Sequence, residues 1–544
     1  MRQKLFLLFA ATLITVAAKP TTIQKERPDM TSKTTITILQ TADIHGQLDK
    51  HQELFVEKGD VVFKERGGLS VIKTIFEKER AKNPGRTIVV DGGDLIQGSG
   101  YAAASEGKIF SDIVREMNYD LLMPGNWEVV YGKEIMLEVM KRYNTAIIAQ
   151  NMRHEADGKN LFPPYWIKEI DGIKVGFIGI NDPDIPFRQA PSYSRGILFN
   201  GVDSKVEETI ERVKFGEKAD IIILLTHIGL AKQVDLANNP ISRHVDYILG
   251  NDTHERIRKP IQGRYAKVME PGAFGSFVGK LTLHFENGRL ISDDYDLIEV
   301  DPVKYPKDKA LQSLIDKKKA AYEEELEKVV GYTSEPIYRY LVVENAMDNM
   351  ITDAMRWKTG VDISFSNGFR FGNPIVPHNG EPAPITRNDI WNMLPIDDYV
   401  KTGEVTGEQL KEWLEKEAHN VFAKNPTERF GGWFVRFSGM EVRLNSTRER
   451  GSRIESVLIN GEPLDLSRRY TISACTREGD PEDMLCRMKN VKNVTSKSYT
   501  MHDAVIDYLG AFSPVAPRLD GRAVATDLGP LNFSTLPGTD YQFR

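Results

Sequence analysis

The stretch RTIVVDGGDLIQG, residues 86–98, decides how the chain reads. A β-branched run ends at once in a glycine-rich turn that carries Asp94. The same arrangement recurs along the first half. Short apolar runs TTITILQ, TAIIAQN, KVGFIGIN, DIIILLTH and VDYILGND alternate with amphipathic stretches such as LSVIKTIFEKERAK and VEETIERVKF. Such alternation predicts a layered α/β domain. In folds of that class, chemistry gathers on loops at the carboxyl ends of strands.

The chain of 544 residues is long enough for more than one domain. Its net charge of -6 gives no reason to expect a nucleic-acid polymer as partner. At the N-terminus, basic MRQK precedes apolar LFLLFAATLITVAA, and small residues follow. Residues 1–18 therefore read as a cleavable signal peptide, with an uncleaved anchor as the alternative, and predict a secreted or periplasmic protein. No later run approaches membrane-spanning length, so stable membrane insertion is not expected. Residues 19–33 are polar and read as a flexible lead-in. The first domain is expected over 34–303, a charged connecting helix over 304–332, a second α/β or α+β domain over 333–517, and an irregular tail over 518–544. Cys475 and Cys486 are the two cysteines; a disulfide and two buried free thiols are both open readings.

The strand ends carry the chemistry. QTADIHG supplies Asp43 and His45, DGGDLIQG Asp94, PGNWE Asn126, LLTHIG His227, and LGNDTHE Asp252 and His254. Any one of these alone reads as a turn or a satisfied polar group. Yet the chain has ten histidines, and three of them stand directly after apolar runs in this series. Carboxylates, imidazoles and one amide converging at a sheet edge make a ligand set for divalent metals.

The series D-x-H, G-D, G-N, H and G-x-x-x-H resembles the dimetal (calcineurin-like) phosphoesterases. In the second half, ENAMDNMITDAMRWKTGVDISFSNGFRFG, PITRNDIWNMLPI, GGWFVRFSGM and GSRIESVLINGEPLD resemble the C-terminal domain of the 5'-nucleotidases. The resemblance spans about residues 34–515. It implies a metallophosphoesterase domain followed by a substrate-binding domain, with two divalent metals bridged by Asp94. One metal would also be held by Asp43, His45 and His254, the other by Asn126, His227 and Asp252. The family has histidine where this chain has Asp252. A carboxylate makes that position richer in oxygen, which puts manganese first among the metals, with zinc, iron or magnesium also open. Two cations would activate water for attack on the ester and clamp the group being transferred.

The segment MPGNWEVVYG, residues 123–132, departs from the family again. There a histidine follows the asparagine and works with an aspartate three residues on; here Trp127 and Val130 stand in those places. The catalytic positions are thus Asp94, Asn126 and Trp127, and Trp127 has an alternative reading as a packing residue that roofs the metals. Without an acid, a high-pKa leaving group departs slowly, whereas a thiolate or persulfide loses much less. This segment, with NGFRFG and GGWFVRFSGM, also resembles the thiosulfohydrolases of bacterial sulfur oxidation. For substrate binding the resemblance implies Asn367, Arg370 and Phe434, and Arg436 adds positive charge. The expectation is an exported hydrolase of small anionic esters, nucleotides or related phosphates. One alternative is a thiosulfohydrolase-like enzyme acting on a carrier protein; another is an inactive, metal-stabilised binding protein.

Overall fold

The computed structural model describes residues 33–366, 370–429, 433–474, 476–529 and 531. The readings at residues 1–18, most of 19–33, Asn367 and Cys475 lie outside the described residues. Cys486 is free and buried.

Two six-stranded sheets form the first half. In one, Lys33–Thr41 lies between Thr87–Asp91, to which it is parallel, and Phe277–Glu286, to which it is antiparallel. In the other, Ile221–His227 is parallel to both Ile173–Asn181 and Tyr247–Leu249. Alternate residues of each strand serve different layers, as strand geometry requires. Ile36, Ile38, Ile88 and Val90 of the first sheet pack against Phe177, Ile221, Ile223 and Leu225 of the second. On the outer faces, Leu39 and Val89 meet the helix Leu69–Lys82 through Ile72 and Phe76. Ile222 and Leu224 meet the helix Ser204–Glu211 through Val206 and Ile210. Both faces are buried, which is why the strands read as unbroken apolar runs.

The expected connecting helix over 304–332 is instead two helices, Lys309–Lys319 and Glu323–Leu326, followed by the strand Val329–Thr333. Leu311, Ile315 and Leu326 are buried in the core of the first half, so this stretch is docked rather than solvated. Val329–Thr333 pairs with Ala383–Thr386 of the second half.

The second half holds a five-stranded and a four-stranded sheet. Its helices Arg387–Met393, Gly407–Phe422 and Met501–Phe512 each start in a reciprocal capping box, at Thr386, Thr406 and Thr500. The tail expected to be irregular from 518 contributes the strand Ala523–Ala525, parallel to Met440–Leu444. Ala523 and Ala525 are buried in that core, and apolar burial outweighs the turn-forming composition around them.

Candidate metal centre

The carboxyl ends of five strands, parallel to their neighbours within each sheet, deliver the predicted ligands to one place. The loop after Lys33–Thr41 runs beside the loop after Thr87–Asp91: the Asp43 amide donates to the Gly93 carbonyl (2.9 Å), and the His45 amide to the Asp94 carbonyl (2.8 Å). Asp43, His45, Asp94, Asp252 and His254 all have left-handed backbone, with φ of 51°, 49°, 59°, 91° and 61°. Left-handed backbone is uncommon outside glycine, though aspartate and histidine adopt it more readily than most residues, and it carries some local strain. Crowding enforces glycine at 125. A Cβ there would lie 2.3 Å from Asp94 Oδ1 and 2.8 Å from His227 Cε1.

The donor set fits cations. Asp43, His45 and His254 form one group, and Asp43, Asp94 and His227 another, each with its potential ligand atoms within 4.8 Å of one another. Asp43 Oδ1 is buried without a hydrogen-bond partner, 3.8 Å from His227 Nε2 and 4.0 Å from the Nε2 atoms of both His45 and His254. His45 turns Nδ1 to the Gln97 carbonyl (3.2 Å) and His227 turns Nδ1 to the Gly92 carbonyl (2.9 Å). Those bonds orient both Nε2 atoms inward, the arrangement usual for ligating histidines. His45 Nε2 then faces His254 Nε2 at 2.9 Å. Burial pushes both of these imidazoles toward the neutral form, His45 to about 4. Burial also pulls His227 down, but the Asp94 and Asp43 carboxylates hold its pKa well above the ordinary value.

Asn126 and Asp252 flank His227. Asn126 Oδ1 is 3.1 Å from His227 Nε2 and faces only acceptors, an orientation that a cation satisfies. Asp252 Oδ1 is 3.9 Å from His227 Nε2. Both Asp252 oxygens accept from Arg188, each at 3.2 Å, and Arg188 also donates to Asp182 at 2.6 Å.

Sequence reasoning missed the carboxylates that hold the loops. Glu128 accepts from the amides of Asp94 (2.8 Å), Leu95 (2.7 Å) and Gly125 (2.6 Å), tying two ligand loops together. Burial, then repulsion from Asp94, raises its pKa to about 7. Glu270 accepts from the Glu255 amide (2.8 Å) and the Thr253 hydroxyl (3.0 Å), behind the loop that carries Asp252 and His254. Burial raises it to about 8. The sequence signal for Glu128 was its place two residues after Asn126; Glu270 had none.

The second half covers the cluster. Phe371 lies edge-on to His45, with centroids 4.4 Å apart, and to Trp127 at 5.9 Å. Trp127 is buried, and its amide donates to Asp94 Oδ1 at 2.7 Å. Arg370 donates to the Thr253 carbonyl and to Glu255, both at 3.0 Å, on either side of His254.

Two substrate-site expectations change. Phe434 is fully buried in the core of the second half and does not line the cavity beside the metal ligands. Its neighbour Trp433 does, with the Arg370 guanidinium 5.1 Å from its ring centre. Both lie in the irregular chain just before the strand Arg436–Ser438, so one position separates core from cavity. Arg436 is buried too, donating to the carbonyls of Leu341, Val342 and Val343 and pairing with Asp348 at 3.0 Å. Its donors hold backbone rather than ligand. The cavity has a volume of about 480 Å³, and Trp127, Arg188, Tyr193, Trp433, Arg477 and Met484 are among its lining.

Residues 36–263 match the family model of the calcineurin-like phosphoesterases, and residues 329–475 that of the 5'-nucleotidase C-terminal domain. By both halves, the chain belongs to the calcineurin-like phosphoesterases that carry a 5'-nucleotidase C-terminal domain; it is a metallophosphoesterase hydrolase of the 5'-nucleotidase type. It is 23% identical to the 5'-nucleotidase of Vibrio cholerae over 569 residues, covering 95% of this chain and 98% of that protein. It is 21% identical to Protein UshA of Escherichia coli, covering 88% of this chain and 92% of that one. Among solved structures, the fold is similar to the sulfate thiohydrolase SoxB of Thermus thermophilus, with TM-score 0.81, 20% identity, and coverage of 91% and 97%. It is also similar to a 5'-nucleotidase precursor of Thermus thermophilus, with TM-score 0.76, 20% identity, and coverage of 90% and 99%.

Proposed function

We propose that the protein is an exported hydrolase of small anionic esters, phosphate monoesters of nucleotides or related compounds, working with two divalent cations, manganese first. The observation that carries this reading is the convergence of Asp43, His45, Asp94, His227 and His254 on buried space with inward-facing ligand atoms. Asp94, between His45 at 3.7 Å and His227 at 3.1 Å, is the bridging ligand of that reading. When bound, the cations supply the Lewis acidity that activates water and offsets charge on the tetrahedral group under attack. Arg370 and Trp433 offer a guanidinium and an aromatic face for an anionic ester with an organic group. Phe371 and Trp127 exclude bulk water from the histidine side, which strengthens electrostatic interactions within. Export rests on the apolar leader in residues 1–18. Among the described residues, no helix is long and apolar enough to cross a membrane.

A second reading, hydrolysis of a sulfur-bound sulfonate on a carrier protein, is favoured by one observation. Trp127 and Val130 offer no proton at the place where the family has an acid, so thiolate-like leaving groups suit the site best. Phosphate release from esters of graded leaving-group pKa, beside sulfate release from thiosulfonates, tests both. Phosphate release that falls steeply with rising pKa is expected. Sulfate release without phosphate release selects the second reading, and no turnover of p-nitrophenyl phosphate with manganese rejects the first. A flat profile would assign proton donation to another group. Asp398 on the cavity wall is the candidate, because burial, then Asp397, raises its pKa.

A further inference from the structure

Position 252 breaks the histidine pattern of the family, and the structure supplies a partner for the substitution. Arg188 closes the short helix Ile185–Arg188 that follows the strand Ile173–Asn181, and Asn181 is in register with His227 of the next strand. Its guanidinium forks onto both oxygens of Asp252, at 3.2 Å each. A carboxylate gripped in this way keeps only its outer lone pairs for a metal, and a full positive charge stands behind it. The neighbouring Gln189 is buried beside Asn126, and its amide nitrogen bonds the Asn126 oxygen only when that amide is turned away from the orientation a cation needs. Arg188 thus engages one flanking member of the second cation position, Asp252. The backbone on either side of Arg188 is held from the other half of the chain, since Arg477 donates to the Phe187 carbonyl and to the Gln189 carbonyl.

Beside the first cation position the Arg370 guanidinium donates to the Thr253 carbonyl and to Glu255, neither of them a predicted ligand. His45 and His254 turn their Nε2 atoms to one another at 2.9 Å, and Asp43 Oδ1 has no hydrogen-bond partner. We infer that Arg188 is a positioning residue that makes the second cation position weak and exchangeable: by occupying Asp252 it leaves the two positions unequal in affinity. This inference rests on the dinuclear reading above. Its consequence is that the first position stays loaded at low metal concentration while the second fills only as free metal rises.

The test is calorimetric titration of the metal-stripped full chain with manganese(II), with bound metal counted by mass spectrometry. Wild type is expected to bind in two phases, a tight and a weak one. Arg188→Met, which keeps the bulk and removes the charge, is expected to tighten the weak phase by at least about tenfold and leave the tight phase unchanged. A weak phase that is unchanged or lost, with the tight phase intact, overturns the inference. Two equal sites in wild type also overturn it. If Arg188→Met loses the tight phase and so its fold, Asp252→Asn decides: loss of the weak phase alone supports the inference, and retention of both phases overturns it. Wild type that binds no manganese rejects the dinuclear reading itself. A single phase of one ion in wild type that becomes two ions in Arg188→Met supports the inference in its strongest form.

Discussion

Phe371 of the second half stands edge-on to His45 of the first, with ring centroids 4.4 Å apart and planes inclined at 61°. A candidate ligand of one half is thus packed by a side chain of the other, so the candidate metal cluster is enclosed only when both halves are in place. Phe371→Ala is expected to leave metal content unchanged, to lower kcat about tenfold as water enters, and to destabilise by about 3 kcal/mol. Elemental analysis, steady-state kinetics and thermal unfolding on one preparation check this. Loss of the metal instead would make Phe371 a support for the ligands rather than a cover.

Trp127 and Val130 occupy the positions of the family's acid pair. The double variant Trp127→His, Val130→Asp is expected to raise hydrolysis of alkyl phosphates by about tenfold to a hundredfold. Turnover of p-nitrophenyl phosphate, whose leaving group needs no proton, should change little. The ratio of the two rates is the measurement, and an unchanged ratio would show that proton supply does not limit the alkyl esters.

Trp433 and Phe434 are neighbours with opposite duties. Trp433→Ala should raise KM for an aromatic ester about tenfold with little change in melting temperature, because its ring lines the cavity. Phe434→Ala should cost about 3–5 kcal/mol in chemical denaturation, because its ring is fully enclosed in the core. The reverse pattern would mean that Phe434, not Trp433, faces the cavity.

Glu53 ties the halves together through charge. It pairs with buried Arg256 and accepts from Ser276 (2.6 Å) and from Tyr340 of the second half (3.3 Å). Burial alone would raise its pKa, but Arg256, with hydrogen bonds from His51 and Ser276, holds it at about 2 against an ordinary 4.5. A depressed carboxylate gives stability that is complete above its unfolded pKa and is lost as pH falls through the folded one. About 3 kcal/mol should therefore disappear between pH 4.5 and 2. Glu53→Gln should lose about 3–5 kcal/mol at neutral pH by stranding Arg256, and its stability should then fall less in that window. Denaturant unfolding across the pH series reads both effects.

Much of this molecule is legible in its sequence, for physical reasons. Strands buried on both faces must be apolar throughout, so runs such as DIIILLTH declare the sheets, and polar residues ending those runs declare the cluster. What the sequence hides is phase and distance. Nothing local distinguishes Trp433 from Phe434, because only the approach direction of the chain decides which ring faces the cavity. Arg188 and Asp252 are 64 positions apart, and their pairing follows from the order of strands in the sheet, not from any motif. The left-handed backbone at Asp43, His45, Asp94, Asp252 and His254 likewise belongs to the assembled site. Composition misled at residues 304–332 and 518–529, where charged or turn-rich stretches still place a few apolar residues into the cores.

The most direct test of the central claim counts metal on the protein. The full chain, purified without chelators and dialysed against manganese buffer, should carry close to two divalent ions per molecule. Asp94→Asn, which weakens the ligand proposed to be shared, should carry fewer than one and lose at least about a thousandfold in phosphatase rate. Full metal loading in Asp94→Asn, or no bound metal in the wild-type protein, would contradict the account.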